Sequence, residues 1–221
     1  MATDSNMFLL KNVRAVFPKY FEGEAEAFDG KGDEYYSGSF ILPKDHPQMA
    51  EIKDRIRKAA ADKWAEKGPA MLKVFAAKDK LPLHDGALKA DKAYGAAYED
   101  KLYISARNNA RTNPPIPVFD NVKDPATGEA RVIKSKADPH APYSGAYVNV
   151  VLNFFGYDAG GGQGIGASIG GVQWHAAGER LAGGVTASAS QFEAADPGEV
   201  FPSDAKSSKK GIDALDDDIP F

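Results

Sequence analysis

Tyr147-Val148-Asn149-Val150-Val151-Leu152-Asn153-Phe154-Phe155 decides the fold. Apolar residues recur at every second position, the period of a strand with one buried face. Val148, Val150, Leu152 and Phe154 are read as facing a core, with Tyr147, Asn149, Val151 and Asn153 on the opposite face. Residues 98–107 alternate in the same way. Leu102, Ile104 and Ala106 form one face, while Lys101, Tyr103, Ser105 and Arg107 form a basic and aromatic row on the other.

Outward from these strands the signals are weaker but consistent. Residues 7–17 read as a first strand ended by Pro18, followed by a Gly- and Glu-rich loop over residues 22–33. Residues 35–42 read as a strand that stops at Pro43 and pairs with the first. From residue 47 to 67 the period changes: Ile52, Ile56, Ala59, Ala60 and Trp64 recur at helical spacing, and Gly68-Pro69 closes the segment. Lys53, Arg55, Arg57, Lys58 and Lys63 are read as the solvated face of this one strong helix. Val118-Phe119 is a short strand, residues 124–128 a turn, and residues 130–142, with Arg131, Lys134 and Lys136, an exposed basic loop. The glycine-dense run 160–171 reads as a flexible connector before a last short strand at residues 172–175. Five or six strands, one main α-helix and many Gly/Pro turns describe a mainly β domain, a small β-barrel of the OB type, spanning residues 1–184.

Residues 185–221 show no periodicity that predicts packing and form an acidic, disordered C-terminal tail on this reading. Net charge is −4 over 221 residues, but it is unevenly placed. From Gln191 onward eight acids face three lysines, a net −5, which leaves the body with 24 basic and 23 acidic residues. A nearly neutral body can still hold phosphate if its cations share a face. The absence of Cys excludes disulfides, thiolate zinc sites and a thiol nucleophile. No apolar run approaches the ~18 residues of a membrane span, and residues 1–6 lack signal-peptide character, so a cytoplasmic location is expected.

Catalytic patterns fail on spacing. Gly164-Ile165-Gly166-Ala167-Ser168-Ile169-Gly170 is one residue too long for a dinucleotide fingerprint and has no amphipathic helix after it. His46, His84, His140 and His175 are scattered without metal-ligand spacing. Glu51-Ile52-Lys53 resembles the end of a nuclease motif but lies in the helical segment. The chain is therefore read as a non-enzyme with no cofactor and no metal. What remains is the interleaving of rings and cations that sequence-independent binding of single strands requires. Lys101, Tyr103, Arg107, Asn108 and Arg111 form the first candidate set, Tyr103 foremost. Tyr143 and Tyr147 supply a second stacking platform, and Tyr36 and Trp174 are weaker candidates because either could close a barrel end.

Two resemblances sharpen this reading. Asp216-Asp217-Asp218-Ile219-Pro220-Phe221 resembles the C-terminal tail of bacterial single-stranded DNA-binding proteins. The body is similar to a bacteriophage family of single-stranded DNA-binding proteins with one OB domain. That similarity rests on Asn12-Val13-Arg14, Phe17-Pro18, Phe21, Tyr36-Ser37-Gly38, Leu42-Pro43-Lys44, Tyr143-Ser144-Gly145-Ala146-Tyr147 and Gly171-Val172-Gln173-Trp174. It implies a protein that coats single-stranded DNA in replication and recombination, in the host cytoplasm, with the tail recruiting replication and recombination proteins. A protein-binding barrel and a metal-dependent nuclease are the rival readings.

Overall fold

The computed structural model describes residues 6–27, 30–92, 94–159 and 162–181. The expected tail, residues 185–221, lies outside them. Chain order is β1 (Met7–Lys19), β2 (Glu26–Ala27), β3 (Glu34–Pro43), α1 (Met49–Trp64), α2 (Gly68–Ala77), β4 (Leu83–Asp85), α3 (Gly95–Tyr98), β5 (Lys101–Asn109), β6 (Val118–Lys123), β7 (Ala130–Ile133), β8 (Tyr147–Ala159) and β9 (Gly162–Ala176). Among the described residues the sheet has nine strands rather than five or six. Its order is β4-β5-β3-β1-β8-β9-β6-β7, with β2 pairing β3.

β1 pairs with β3 and with β8, β3 with β5, and β8 with β9, all antiparallel. It follows that β5 and β9 run parallel to each other, and the circuit β1-β3-β5-β9-β8 is that of an OB barrel. The backbone ladder does not close between β5 and β9. Two bridges close it instead. Asn108 Nδ2 donates to Ile169 O at 2.9 Å while Ile169 N donates to Asn108 Oδ1 at 2.8 Å, so one side-chain amide takes the place of a strand residue. Further along, the segment after α2 fills the gap: Ile165 N donates to Lys80 O and Ser105 N to Pro82 O, each at 3.0 Å. Gln48 performs the same service at the edge of β1, donating to Leu9 O and accepting from Lys11 N.

The core is made as the alternation in β8 requires. Val148, Val150, Leu152 and Phe154 are all 0 % exposed and pack against Leu10, Val13, Phe40 and Ile104. Each such side chain contributes ~1.5–3 kcal/mol of burial free energy. Met49, Ile52, Ile56, Ala59 and Ala60 bury one stripe of α1 against this interior. Its other side is laced by Glu51–Arg55 and Lys58–Asp62 pairs at 3.2 Å, the solvated face expected of it. Gly38 is needed in β3 because a methyl there would sit 2.7 Å from the buried Tyr20 hydroxyl.

Three expectations are corrected. Gly68-Pro69 does not end the helical region: Pro69 stands in the first turn of α2, where its missing N–H costs nothing. From residue 162 the glycine run is no connector but part of β9, with Ile165, Ala167 and Ile169 buried in strict alternation. Residues 130–142 include β7, and Arg131 is held by Asp120 and Asp138 at 2.6 Å instead of standing free.

Candidate nucleic-acid interface

The face of β3 and β5 that points away from the core carries Tyr35, Ser37, Ser39 and Ile41 opposite Asn109, Arg107, Ser105 and Tyr103. This is the row read from the sequence, but its two ends differ. At one end Tyr103 is only 4 % exposed, packed with Val16, Ile41 and Tyr98. His84 stacks on its ring at 4.9 Å, Tyr98 meets it edge-on at 5.2 Å, and Lys89 Nζ lies 5.6 Å from the ring centre. Burial pushes the Tyr98 hydroxyl up to about 12 and raises that of Tyr103, so both stay neutral. The expectation of a solvent-facing Tyr103 is therefore wrong. His84, Lys89 and Tyr98, from the chain just before β5, cover that end of the row.

The other end is open. Ser37, Ser39 and Ser105 line a groove of about 870 Å³ together with Phe17, Tyr35 and Arg107 of β1, β3 and β5 and Phe155, Tyr157 and Ser168 of the β8–β9 hairpin. Phe17 (48 %) and Phe155 (39 %) are among the most exposed large apolar residues of the described chain. Phe17 has a positive φ of 50°, at an irregularity in β1 between Val16 and Lys19. Such a backbone is uncommon for an aromatic residue and here accompanies a ring turned out of the core. Phe155 lies across Gly166, its cross-strand partner, where a methyl would come within 2.8 Å of the ring. Tyr157 stands opposite Gly164 in the same manner. The glycines of β9 thus make room for two rings to lie over the hairpin.

Three cations, Lys19, Lys80 and Arg107, line the groove against one carboxylate, Asp79. Arg107 stacks on Tyr35 at 4.7 Å, which holds the guanidinium in place while leaving it exposed. Lys19 also contacts Glu26, and Asp79 is engaged by His84 at 2.7 Å.

Of the residues singled out from the sequence, Arg107 and Asn108 line this groove, and the amide of Asn108 is already used on Ile169. Lys101 is exposed at the far end of β5, roughly 20 Å of strand from Arg107. Arg111 follows β5 and lies 3.6 Å from Asp33, whose other oxygen accepts from Asn109. Tyr143 and Tyr147 are at the opposite end of β8 from Phe155. Tyr143 donates its hydroxyl to Gly178 O at 2.9 Å, with Arg180 3.9 Å over its ring. Tyr147 is half-buried beside Ala176 of β9. Tyr36 and Trp174 are both in the core, the barrel-closing alternative. Sequence reasoning missed Phe17, Tyr35, Phe155 and Tyr157 as site residues. The signal for the last two was the outward parity that continues past Asn153.

A family model described as Enterobacter phage Enc34, ssDNA-binding protein, matches residues 7–201. Putative protein p50 of Acyrthosiphon pisum secondary endosymbiont phage 1 is 33 % identical over 189 residues, covering 83 % of this chain and 91 % of the relative. The single-stranded DNA-binding protein from bacteriophage Enc34, solved in complex with ssDNA, superposes with a TM-score of 0.61 at 21 % identity, over 80 % of this chain and 90 % of that one. Gp2.5, a single-stranded DNA-binding protein encoded by bacteriophage T7, does so with a TM-score of 0.52 at 15 % identity, over 85 % and 100 %. The structural likenesses establish a shared fold; on the strength of the family match and the p50 relative, the chain belongs to the Enc34 ssDNA-binding protein family.

Proposed function

We propose that this chain binds single-stranded DNA without sequence preference in the groove between the β3–β5 face and the β8–β9 hairpin, and that it acts by coating the strand and catalyses no reaction. The observation that carries the reading is the gathering of rings and cations in one trough: the exposed Phe155 and half-buried Tyr157 of the hairpin with the half-buried Tyr35 of β3 and the exposed Arg107 of β5. Every base has a π-face, so rings stack with bases of any sequence, and Arg or Lys between them meets phosphate. Family membership and the ssDNA complex of the Enc34 relative support it.

On this reading Lys19, Lys80 and Arg107 neutralise the backbone and Phe17, Tyr35, Phe155 and Tyr157 receive bases. The biological setting is replication and recombination of phage DNA in the host cytoplasm; among the described residues no helix is long and apolar enough to cross a membrane. Asp216, Asp217, Asp218, Ile219, Pro220 and Phe221 recruit partner proteins of that machinery, the acids meeting a basic groove and Phe221 an apolar pocket. Fluorescence anisotropy of labelled oligo(dT) and of a duplex of equal length, across a salt series, tests the reading. Tight, salt-sensitive binding of the single strand with weak binding of the duplex is expected; equal or no binding of the two rejects it.

A further inference from the structure

Part of the groove lining is the direct continuation of α2: Asp79, Lys80, Leu81 and Pro82 follow that helix at once. Lys78 N donates to Val74 O at 3.1 Å and Lys80 N to Phe75 O at 2.8 Å, so both lysines are fixed at the C-terminal end of α2. Ile165 N of the hairpin donates to Lys80 O at 3.0 Å and ties that end to β9.

Charge is placed differently on the two long helices. On α1, Arg55, Arg57 and Lys58 are paired with Glu51, Asp54 and Asp62, and Lys53 stands apart. From Lys63 onward the pairing stops. Lys63, Lys67, Lys73, Lys78 and Lys80 are all exposed, and none forms an ion pair among the described residues. α2 itself contains no acid. Of the acids nearest in sequence, Asp62 is engaged by Lys58 and Asn6 and Asp79 by His84, which leaves Glu66; Asp158, on the hairpin, is held by Gln163. Helix stability does not ask for this arrangement. A cation at the C-terminal end complements the helix dipole, which accounts for Lys78, but Lys67 stands at the N-terminal end, where a cation is unfavourable. Lys67 and Lys78 are eleven residues apart, close to three turns, so they share one stripe about 16 Å long with Val74, 44 % exposed, between them.

We propose that this stripe is a second phosphate track, on which a single strand leaving the groove past Lys80 continues along α2 over Lys78 to Lys67. The inference rests on the groove as the DNA site, and two observations carry it: the lysines run on without a break from the groove lining, and no carboxylate on α2 competes for them. Having no aromatic ring of its own in the open, the stripe takes the backbone and not the bases. It lengthens the footprint of the protein and steepens its salt dependence.

The test is anisotropy of labelled oligo(dT) of about 6 and about 16 nucleotides, within the range of site sizes of an OB fold, titrated with the full chain over a salt series. Lys67→Gln with Lys78→Gln should weaken binding of the longer strand about 20-fold at about 0.1 M salt and flatten its slope of log affinity against log salt by about 1.4, the loss of two phosphate contacts, while the shorter strand binds as before. Lys67→Arg with Lys78→Arg, which keeps both charges, should bind both lengths as the wild-type chain does. Unchanged binding of the longer strand by the Gln variant, an equal loss at both lengths, or a loss confined to a duplex of the longer length overturns the proposal. Failure of the wild-type chain to bind either strand would instead reject the groove reading, and the track with it.

Discussion

Asn108 and Ile169 hold the barrel shut: the side-chain amide of one exchanges two hydrogen bonds, of 2.9 and 2.8 Å, with the backbone of the other across a seam that no ladder spans. Asn108→Ala should leave the N–H and C=O of Ile169 unpaired in a half-buried site and cost roughly 2 to 4 kcal/mol. Denaturant unfolding measures this. A loss below 0.5 kcal/mol, within the ordinary scatter of surface substitutions at about that size, would mean the Lys80–Pro82 bridge closes the seam alone.

Tyr103→Ala is expected to act on stability. Its ring is packed against Tyr98 and stacked on His84, so truncation should cost roughly 3 to 5 kcal/mol, while Tyr103→Phe keeps those ring contacts. Thermal melting of both variants, with oligo(dT) titrated below the lower transition, distinguishes packing from stacking. Weak DNA binding by a fully folded Tyr103→Ala protein would return the residue to the interface.

Asp120, Arg131, Asp138 and His140 form an ionic cluster beside Trp174. Arg131 donates to Asp138 and Asp120, and His140 Nδ1 lies 2.9 and 3.0 Å from the two Asp120 oxygens. The hydrogen bond from Arg131, with that from the His140 N–H, holds the Asp138 carboxyl down at about 2. Burial opposes ionisation of Asp120, yet its bonds from Arg131 and His140 outweigh burial and keep it below the ordinary carboxylate range. Folded-state values lie below unfolded ones, so this stabilisation is complete above the ordinary carboxylate range and is lost as pH falls toward about 2. Melting temperature against pH should drop less steeply over that window in Asp138→Asn. Parallel curves would remove the cluster from acid unfolding.

Deleting residues 213–221 removes four aspartates that lie beyond the family match, which ends at residue 201. Tethering holds this acidic segment at high local concentration near a groove proposed to bind a polyanion, so truncation is expected to tighten oligo(dT) binding, most at low salt. Affinity unchanged at every salt concentration would confine the segment to partner proteins.

The fold was legible wherever apolar residues marked one face strongly, as in residues 147–155, and wherever the helical period was long, as in α1. It was obscured where glycine carried the strand. In β9 the outward positions are small so that Phe155 and Tyr157 can lie across them, which erases half of the alternation while Ile165, Ala167 and Ile169 preserve the other half. Gly68-Pro69 was ambiguous for a local reason, since the same pair ends one helix or begins the next. The exposure of Arg107 was legible and the burial of Tyr103 was not, because what decides exposure at Tyr103 is a cover contributed by His84, Lys89 and Tyr98. Asn108, read from the sequence as part of the DNA-binding set, spends its amide on the protein's own backbone.

The central claim, that DNA lies between the hairpin rings and Arg107, is tested most directly by titrating labelled oligo(dT) with the wild-type chain, Phe155→Ala and Arg107→Ala over a salt series. Phe155→Ala should weaken binding by ~1 to 3 kcal/mol at all salts with an unchanged melting temperature, since it removes a stacking surface. Arg107→Ala should flatten the slope of log affinity against log salt by ~0.7, the loss of one phosphate contact. Wild-type affinity and slope in both folded variants would contradict the account and place the DNA elsewhere on the barrel.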